Sequence, residues 1–268
     1  MISLTTAELN FLLGAFLWPL SRILALIATS PILGNPSVPV RVKLGLAILI
    51  TVLVMPLVEK TMPQIDPTSG IGLIILLQQI LIGAAIGFVM RVVFVAVEMA
   101  GELIGLQMGL GFAIFFDPQS SGQIDVIGRF MGVIASLAFL AIDGHLMLIA
   151  LISQSFDTLP VGLDAMTDAT FSTLANWGGE VFKSGLQLSL PVLTALLITN
   201  LALGVLTRVA PQLNIFAVGF PLTLSIGLFV LALSMPFYAP ILEYFVHDGL
   251  NLIMGILNIG ELMSFSNF

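Results

Sequence analysis

The chain contains no cysteine, so it can build neither a disulfide framework nor a thiolate metal site. Charge is scarce too. Only 9% of the 268 residues are Asp, Glu, Lys or Arg, against about 25% in ordinary soluble domains. Hydrophobic residues make up 58%, which leaves too little polar surface to cover a water-soluble fold. The composition is that of an all-α integral membrane protein. Eight basic residues stand against fifteen acidic ones, for a net charge of −7, and a basic nucleic-acid face is excluded. Histidine is limited to His145 and His247. A metal site would need both, with carboxylates such as Asp143 and Asp248, and no HExxH spacing exists. There is no GxSxG elbow. The GLGF at Gly109–Phe112 lacks the third glycine of a dinucleotide fingerprint and follows no strand pattern. The expectation is therefore no enzyme, no cofactor and no metal. The opening MISLTTAELN has no basic n-region and no small-residue cleavage site, so the first apolar run is expected to remain in the mature protein.

What is present is apolar length. A helix crossing hydrocarbon needs about 20 apolar residues. Candidate spans are residues 12–32, 42–58, 71–97, 126–152, 181–206 and 216–237, about six in all. The run 250–259 is too short to cross and is expected to pack on the bundle or the interface. Pro19, Pro56, Pro191, Pro221 and Pro236 lie inside spans, and each removes a backbone donor and kinks its helix. So many bends suggest helices wrapped around something. Arg41 and Lys43 follow the first span, Arg91 and Arg129 flank the third connection and Arg208 sits in the fifth; these three connections share one side if there are six spans. Glu8, Asp157, Asp164, Asp168, Glu243, Asp248 and Glu261 fall on the other, with Lys60 between Glu59 and Asp66. Basic residues mark cytoplasmic loops, so both termini are expected to face away from the cytoplasm. In the long connection 153–179, Met166, Phe171, Leu174 and Trp177 share a helical face behind a possible cap at Asp164. They form either an amphipathic surface helix or a packed connector.

The stretch 101–123, GELIGLQMGLGFAIFFDPQSSGQ, fits neither a lipid-facing helix nor a surface loop. On a continuous helix Arg91, Glu98, Gly101, Glu102, Gly105 and Gly109 project within one third of the circumference. Gly101, Gly105 and Gly109 recur every fourth residue, and Gly83 and Gly87 repeat the device; such spacing lets another backbone approach closely. A carboxylate deep in hydrocarbon costs about 2.5–3.5 kcal/mol on insertion scales. This stripe is therefore expected to face protein or water. A simpler reading is plain helix packing with an ion pair between Arg91 and Glu98. Beyond it come three phenylalanines and then Asp117–Pro118, a helix-breaking turn. Non-helical backbone at membrane depth survives only inside protein or along a cavity. The segment is expected to fold into the centre of an assembly and obstruct it. The candidate plug residues are Leu106, Met108, Gly109, Leu110, Gly111, Phe112, Phe115 and Phe116, with glycine as hinge and apolar bulk as seal. Further on, LTRVAPQLNIFAVGFPL reads as a tight hairpin tip. Arg208 can reach the preceding helix's last carbonyls, Pro211 and Gln212 lie in the turn, and Asn214 can cap the next helix.

Three runs together are similar to one family. GLQMGLGFAIFFDPQ (105–119), the DGH at Asp143–His145 and above all RVAPQLNIFAVGFPL (208–222) resemble the FliR family of flagellar export-gate proteins, and the likeness covers nearly the whole chain. The flagellar branch fits better than the related injectisome branch. The resemblance implies a non-enzymatic subunit that assembles with FliP and FliQ into a closed helical spiral joined by FlhB and FlhA, admitting unfolded flagellar subunits across the bacterial inner membrane at the flagellar basal body. It implies a P-like part, residues 1–179, and a Q-like hairpin with the C-terminal segment, residues 180–268, joined near residues 178–181. It makes 105–123 the central plug loop and places Arg208, Pro211, Gln212, Asn214 and Pro221 at a partner-contacting tip near the cytoplasmic entrance. It also implies that the apolar helices stack on partners instead of remaining lipid spans.

Two other readings stay open on the residues alone. A secondary transporter would explain broken helices and a midplane site at Arg91, Glu98 and Glu102, with Asp143 nearby; no matching pair of broken segments in the two halves supports it. An intramembrane protease using Asp143 lacks a partner motif.

Overall fold

The structure, a computed structural model, describes residues 6–58, 62–112, 125–163, 167–212 and 215–257. Among these the chain is all helix: α1 (Thr6–Thr29), α2 (Val40–Val58), α3 (Gly70–Gln107), a single 3-10 turn at Leu110–Phe112, α4 (Val126–Ala141), α5 (Gly144–Thr158), α6 (Asp168–Val209) and α7 (Ile215–Ile256). Five of these helices are long and apolar enough to cross a membrane, and α4 with α5 would make a sixth.

Several elements differ from the sequence expectation. The span expected over 126–152 is broken. α4 and α5 meet at a 65° bend, where Asp143 takes a left-handed conformation, φ 56°. Aspartate is among the few residues besides glycine that visit this region, and Asp143–Gly144 is a turn dipeptide that overrides the apolar run around it. α3 runs to Gln107, ten residues past the end expected for its span, and so takes in Glu98, Gly101, Glu102 and Gly105. Among the described residues from Thr167 to Trp177 no separate helix forms. Residues from Asp168 on are the first turns of α6; the Trp177 indole N–H donates to the Val89 carbonyl at 2.9 Å, while Phe171 is 47% exposed. Asp164 and Met166 lie outside the described residues. The short run beginning at Leu250 continues α7 and buries Leu250, Ile253 and Leu257.

The chain forms two compact units. The first comprises residues 1–91, 143–178 and 246–268. α1 packs against α2 there, and the N-terminal part of α3 closes on α1 through glycine: a methyl at Gly83 would collide with the Arg22 carbonyl, and one at Gly87 with the Thr29 side chain. Trp18 is buried and donates its indole N–H to the Gly72 carbonyl, 3.3 Å away. The second unit comprises residues 92–142 and 179–245. Its core holds Phe94 edge-on to Phe139, centroids 5.6 Å apart. Tyr238 is buried there and donates its hydroxyl to the Leu188 carbonyl at 3.2 Å, close to the bend expected at Pro191.

Candidate functional site

The C-terminal turns of α3 are the point on which the candidate residues converge. Gly101 is buried against the start of α4, where a methyl would lie 2.5 Å from the Gly128 Cα and 2.7 Å from its nitrogen. Only a glycine pair lets the two backbones approach so closely. Asp125 caps α4, its carboxylate accepting the Gly128 N–H at 2.7 Å; an acid at a helix N-terminus also suits the helix dipole. The two devices fix the cap of α4 beside the glycine edge of α3.

Outward from this contact lies a cavity of about 420 Å³, lined by Glu98, Glu102, Asp125 and Arg129 together with Gly105, Leu106, Leu110 and Gly111. The acidic groups outnumber the base, three to one. Glu98 and Asp125 are half-buried, while Glu102 and Arg129 are exposed. Charges in such a space keep access to water or to a ligand, which spares them the desolvation of a closed interior. Among the described residues no group of three or more His, Cys, Asp and Glu is arranged to hold a metal ion.

The structure thus places Glu98, Glu102, Gly105, Leu106, Leu110 and Gly111 around one cavity, with Gly101 behind it. Arg91 is an exposed residue of the first unit and is not in that lining. Met108 is fully buried, whereas Leu106 is 57% exposed. Gly109 takes φ 89°, a conformation open to glycine, and the chain leaves α3 through it into the 3-10 turn. The Phe112 side chain, Phe115 and Phe116 lie outside the described residues. At the other candidate region, Arg208 stands in the last turn of α6 and is exposed, as are Pro211 and Gln212 in the following turn and Pro221 in the second turn of α7. Asn214 lies outside the described residues.

Sequence reasoning missed Arg22. It sits inside α1 with 0% exposure. Its Nε donates to Gln79 Oε1 at 2.8 Å, Nη1 to the Ser155 carbonyl and hydroxyl at 2.9 and 3.0 Å, and Nη2 to the Leu159 carbonyl at 2.8 Å. The guanidinium also lies 4.1 Å over the Phe156 ring. Two of these acceptors are backbone carbonyls at the end of α5, where a cation also meets the negative end of the helix dipole. The signal was available: an arginine within the apolar run LWPLSRILALI must find partners or water.

The profile of the family described as bacterial export proteins, family 1, matches residues 13–249. The flagellar biosynthetic protein FliR of Escherichia coli strain K12 is 46% identical over 258 residues, covering 96% of this chain and 98% of the relative. FliR of Pectobacterium carotovorum is 45% identical over 257 residues with the same coverage. The more distant FliR of Bacillus subtilis is 31% identical over 227 residues, 84% of this chain and 87% of the relative.

Proposed function

Because the chain belongs to the FliR family of bacterial export proteins, we propose that it is a subunit of the flagellar type III export gate in the inner membrane, and that its segment 105–123 obstructs the path taken by unfolded flagellar subunits. It is a membrane component of protein export and not an enzyme. The observation that carries the reading is the end of α3. A helix locked by glycine against α4 delivers the chain, through a left-handed glycine, to a cavity of about 420 Å³ at the start of segment 105–123.

On this reading Leu106, Met108, Gly109, Leu110, Gly111, Phe112, Phe115 and Phe116 form or support the obstruction. Glu98, Gly101, Glu102 and Gly105 form its packing and polar edge, with Arg91 further back on the same helix. Arg208, Pro211, Gln212, Asn214 and Pro221 form the tip that meets a partner. FliP and FliQ are the partners that enclose it, and FlhB and FlhA complete the assembly. Residues 1–179 are the P-like part and 180–268 the Q-like part, and both termini face the periplasm. The apolar outer faces of the last two helices support enclosure by neighbours: only 17% of the most apolar window of α6 is buried within the chain, and 28% of that of α7.

Deleting residues 106–116 tests the obstruction. Ion conductance through the co-expressed, assembled complex should rise well above that of the parent complex. Unchanged conductance with the complex intact by native mass measurement overturns it. The shared cavity of Glu98 and Glu102 favours one second reading, a small-solute transporter. Proteoliposomes holding this chain alone should then accumulate solute, whereas a gate subunit gives no uptake.

A further inference from the structure

The base of segment 105–123 is held from one direction that the sequence does not reveal. Met108 follows the last residue of α3 and its amide still closes onto the Ile104 carbonyl at 2.9 Å. Its own carbonyl has lost the helical partner it would find four residues on, because the chain turns away at Gly109, φ 89°. Helix ends leave such carbonyls in need of a donor. Here the donor comes from α7: the Thr223 hydroxyl lies 3.1 Å from the Met108 carbonyl and also 3.1 Å from the Phe220 carbonyl. Both Met108 and Thr223 are buried.

One turn further along α7, on the same face, Gly227 receives the Met108 side chain. A methyl on Gly227 would lie 2.7 Å from Met108 Cγ and 2.5 Å from its Cε, so the thioether occupies the space a side chain there would take. Met108 is thus gripped at its carbonyl and its side chain by one helix face. The next residues, Leu110 and Gly111, are only half-buried and line the cavity.

We propose that Thr223 and Gly227 are positioning residues that form a latch on Met108, so that the set of α7 determines how firmly the base of segment 105–123 is held. The latch therefore holds the segment up to Met108, and Gly109, φ 89°, is the first residue beyond it. A hydroxyl-to-carbonyl bond and a van der Waals seat are both reversible contacts, and a small slide of α7 removes the two together. α7 lies in the Q-like part and Met108 in the P-like part, so movement of the hairpin is transmitted to the segment. The link to channel closure rests on the proposed function above; the latch itself does not.

The chain's lack of cysteine makes the test simple. A thiol introduced by Leu110→Cys is labelled with a maleimide in the assembled, co-expressed complex. Thr223→Val removes the donor at nearly constant volume, and Gly227→Ala evicts the Met108 side chain. Each should raise the labelling rate about threefold or more, while Thr223→Ser, which keeps the hydroxyl, should restore the parent rate. Unchanged labelling in both Thr223→Val and Gly227→Ala overturns the latch. Should Gly227→Ala fail to assemble, the contrast between Thr223→Val and Thr223→Ser decides alone. If labelling rises but deletion of residues 106–116 leaves conductance unchanged, the latch stands and the obstruction reading falls.

Discussion

Arg22 and the cavity beside α3 set the same problem, charge within an apolar chain, and they solve it in opposite ways. Around Arg22 the first unit closes completely. Every face of the guanidinium meets an acceptor or the Phe156 ring, and no surface remains exposed. In the second unit Glu98, Glu102, Asp125 and Arg129 border an open volume. A closed charge network is a structural commitment, because removing one member orphans the others. An open one asks less of its members: Asp125 still caps α4, but the exposed Glu102 and Arg129 keep access to water. Charges that the fold does not need are the better candidates for work on a ligand or a moving chain.

The sharpest way to break this comparison is at Arg22. Arg22→Ala leaves the Gln79 side chain, the Ser155 hydroxyl and two carbonyls without their donor and opens a void. The expected loss is on the order of 3 kcal/mol or more. At about 2–4 °C per kcal/mol, the melting temperature of the purified protein in detergent should fall by roughly 10 °C. Arg22→Lys should recover only part of it, because an ammonium cannot reach acceptors in three directions with a planar fork. A melting temperature unchanged in Arg22→Ala would show that the closed network is not structural.

At the cavity the expected effect is far smaller. Glu102→Gln is exposed and removes a charge without changing shape, so stability should stay within about 0.5 kcal/mol of the parent. A loss as large as that of Arg22→Ala would erase the distinction between the two regions.

Smallest of all is the effect at Asp66, in the connection before α3. Its exposed carboxylate accepts the Thr68 hydroxyl at 2.7 Å and the Thr68 N–H at 2.8 Å. The side-chain bond, then the backbone bond, hold its pKa below the usual carboxylate value. A depressed carboxylate contributes above its unfolded pKa, about 3.9, and loses that contribution as pH falls through the lower folded value. The parent should therefore be slightly more stable than Asp66→Asn at neutral pH. The two melting curves should converge below about pH 4, and a gap that persists in acid would show that the turn does not depend on the carboxylate.

The sequence carried the helical membrane class and the glycine edge of α3 because both are local. Apolar length and four-residue spacing are properties of one helix, and Gly101 does meet a neighbouring backbone. Arg22 was missed because its acceptors lie 57, 133 and 137 residues away and all are neutral side-chain or main-chain groups. No spacing rule detects such a set. The break at Asp143 was written locally, as an Asp–Gly pair, but read as part of a long apolar run. The continuity of α6 through Gly178 and Gly179 was hidden for the opposite reason. Two glycines suggest a stop, and packing such as that of Trp177 on Val89 overrides the local preference. The grip of Thr223 and Gly227 on Met108 spans 115 residues and was equally invisible.

The length of the last two helices has a consequence of its own. Each has 42 residues, which at about 1.5 Å per residue is a helical path of roughly 63 Å. The oily slab it would enter is about 30 Å thick. Lying wholly inside would demand a slant well beyond the usual limit of about 40°. The surplus must lie outside that slab, against headgroups, water or other polypeptide, so these two helices reach well beyond what lipid alone can cover.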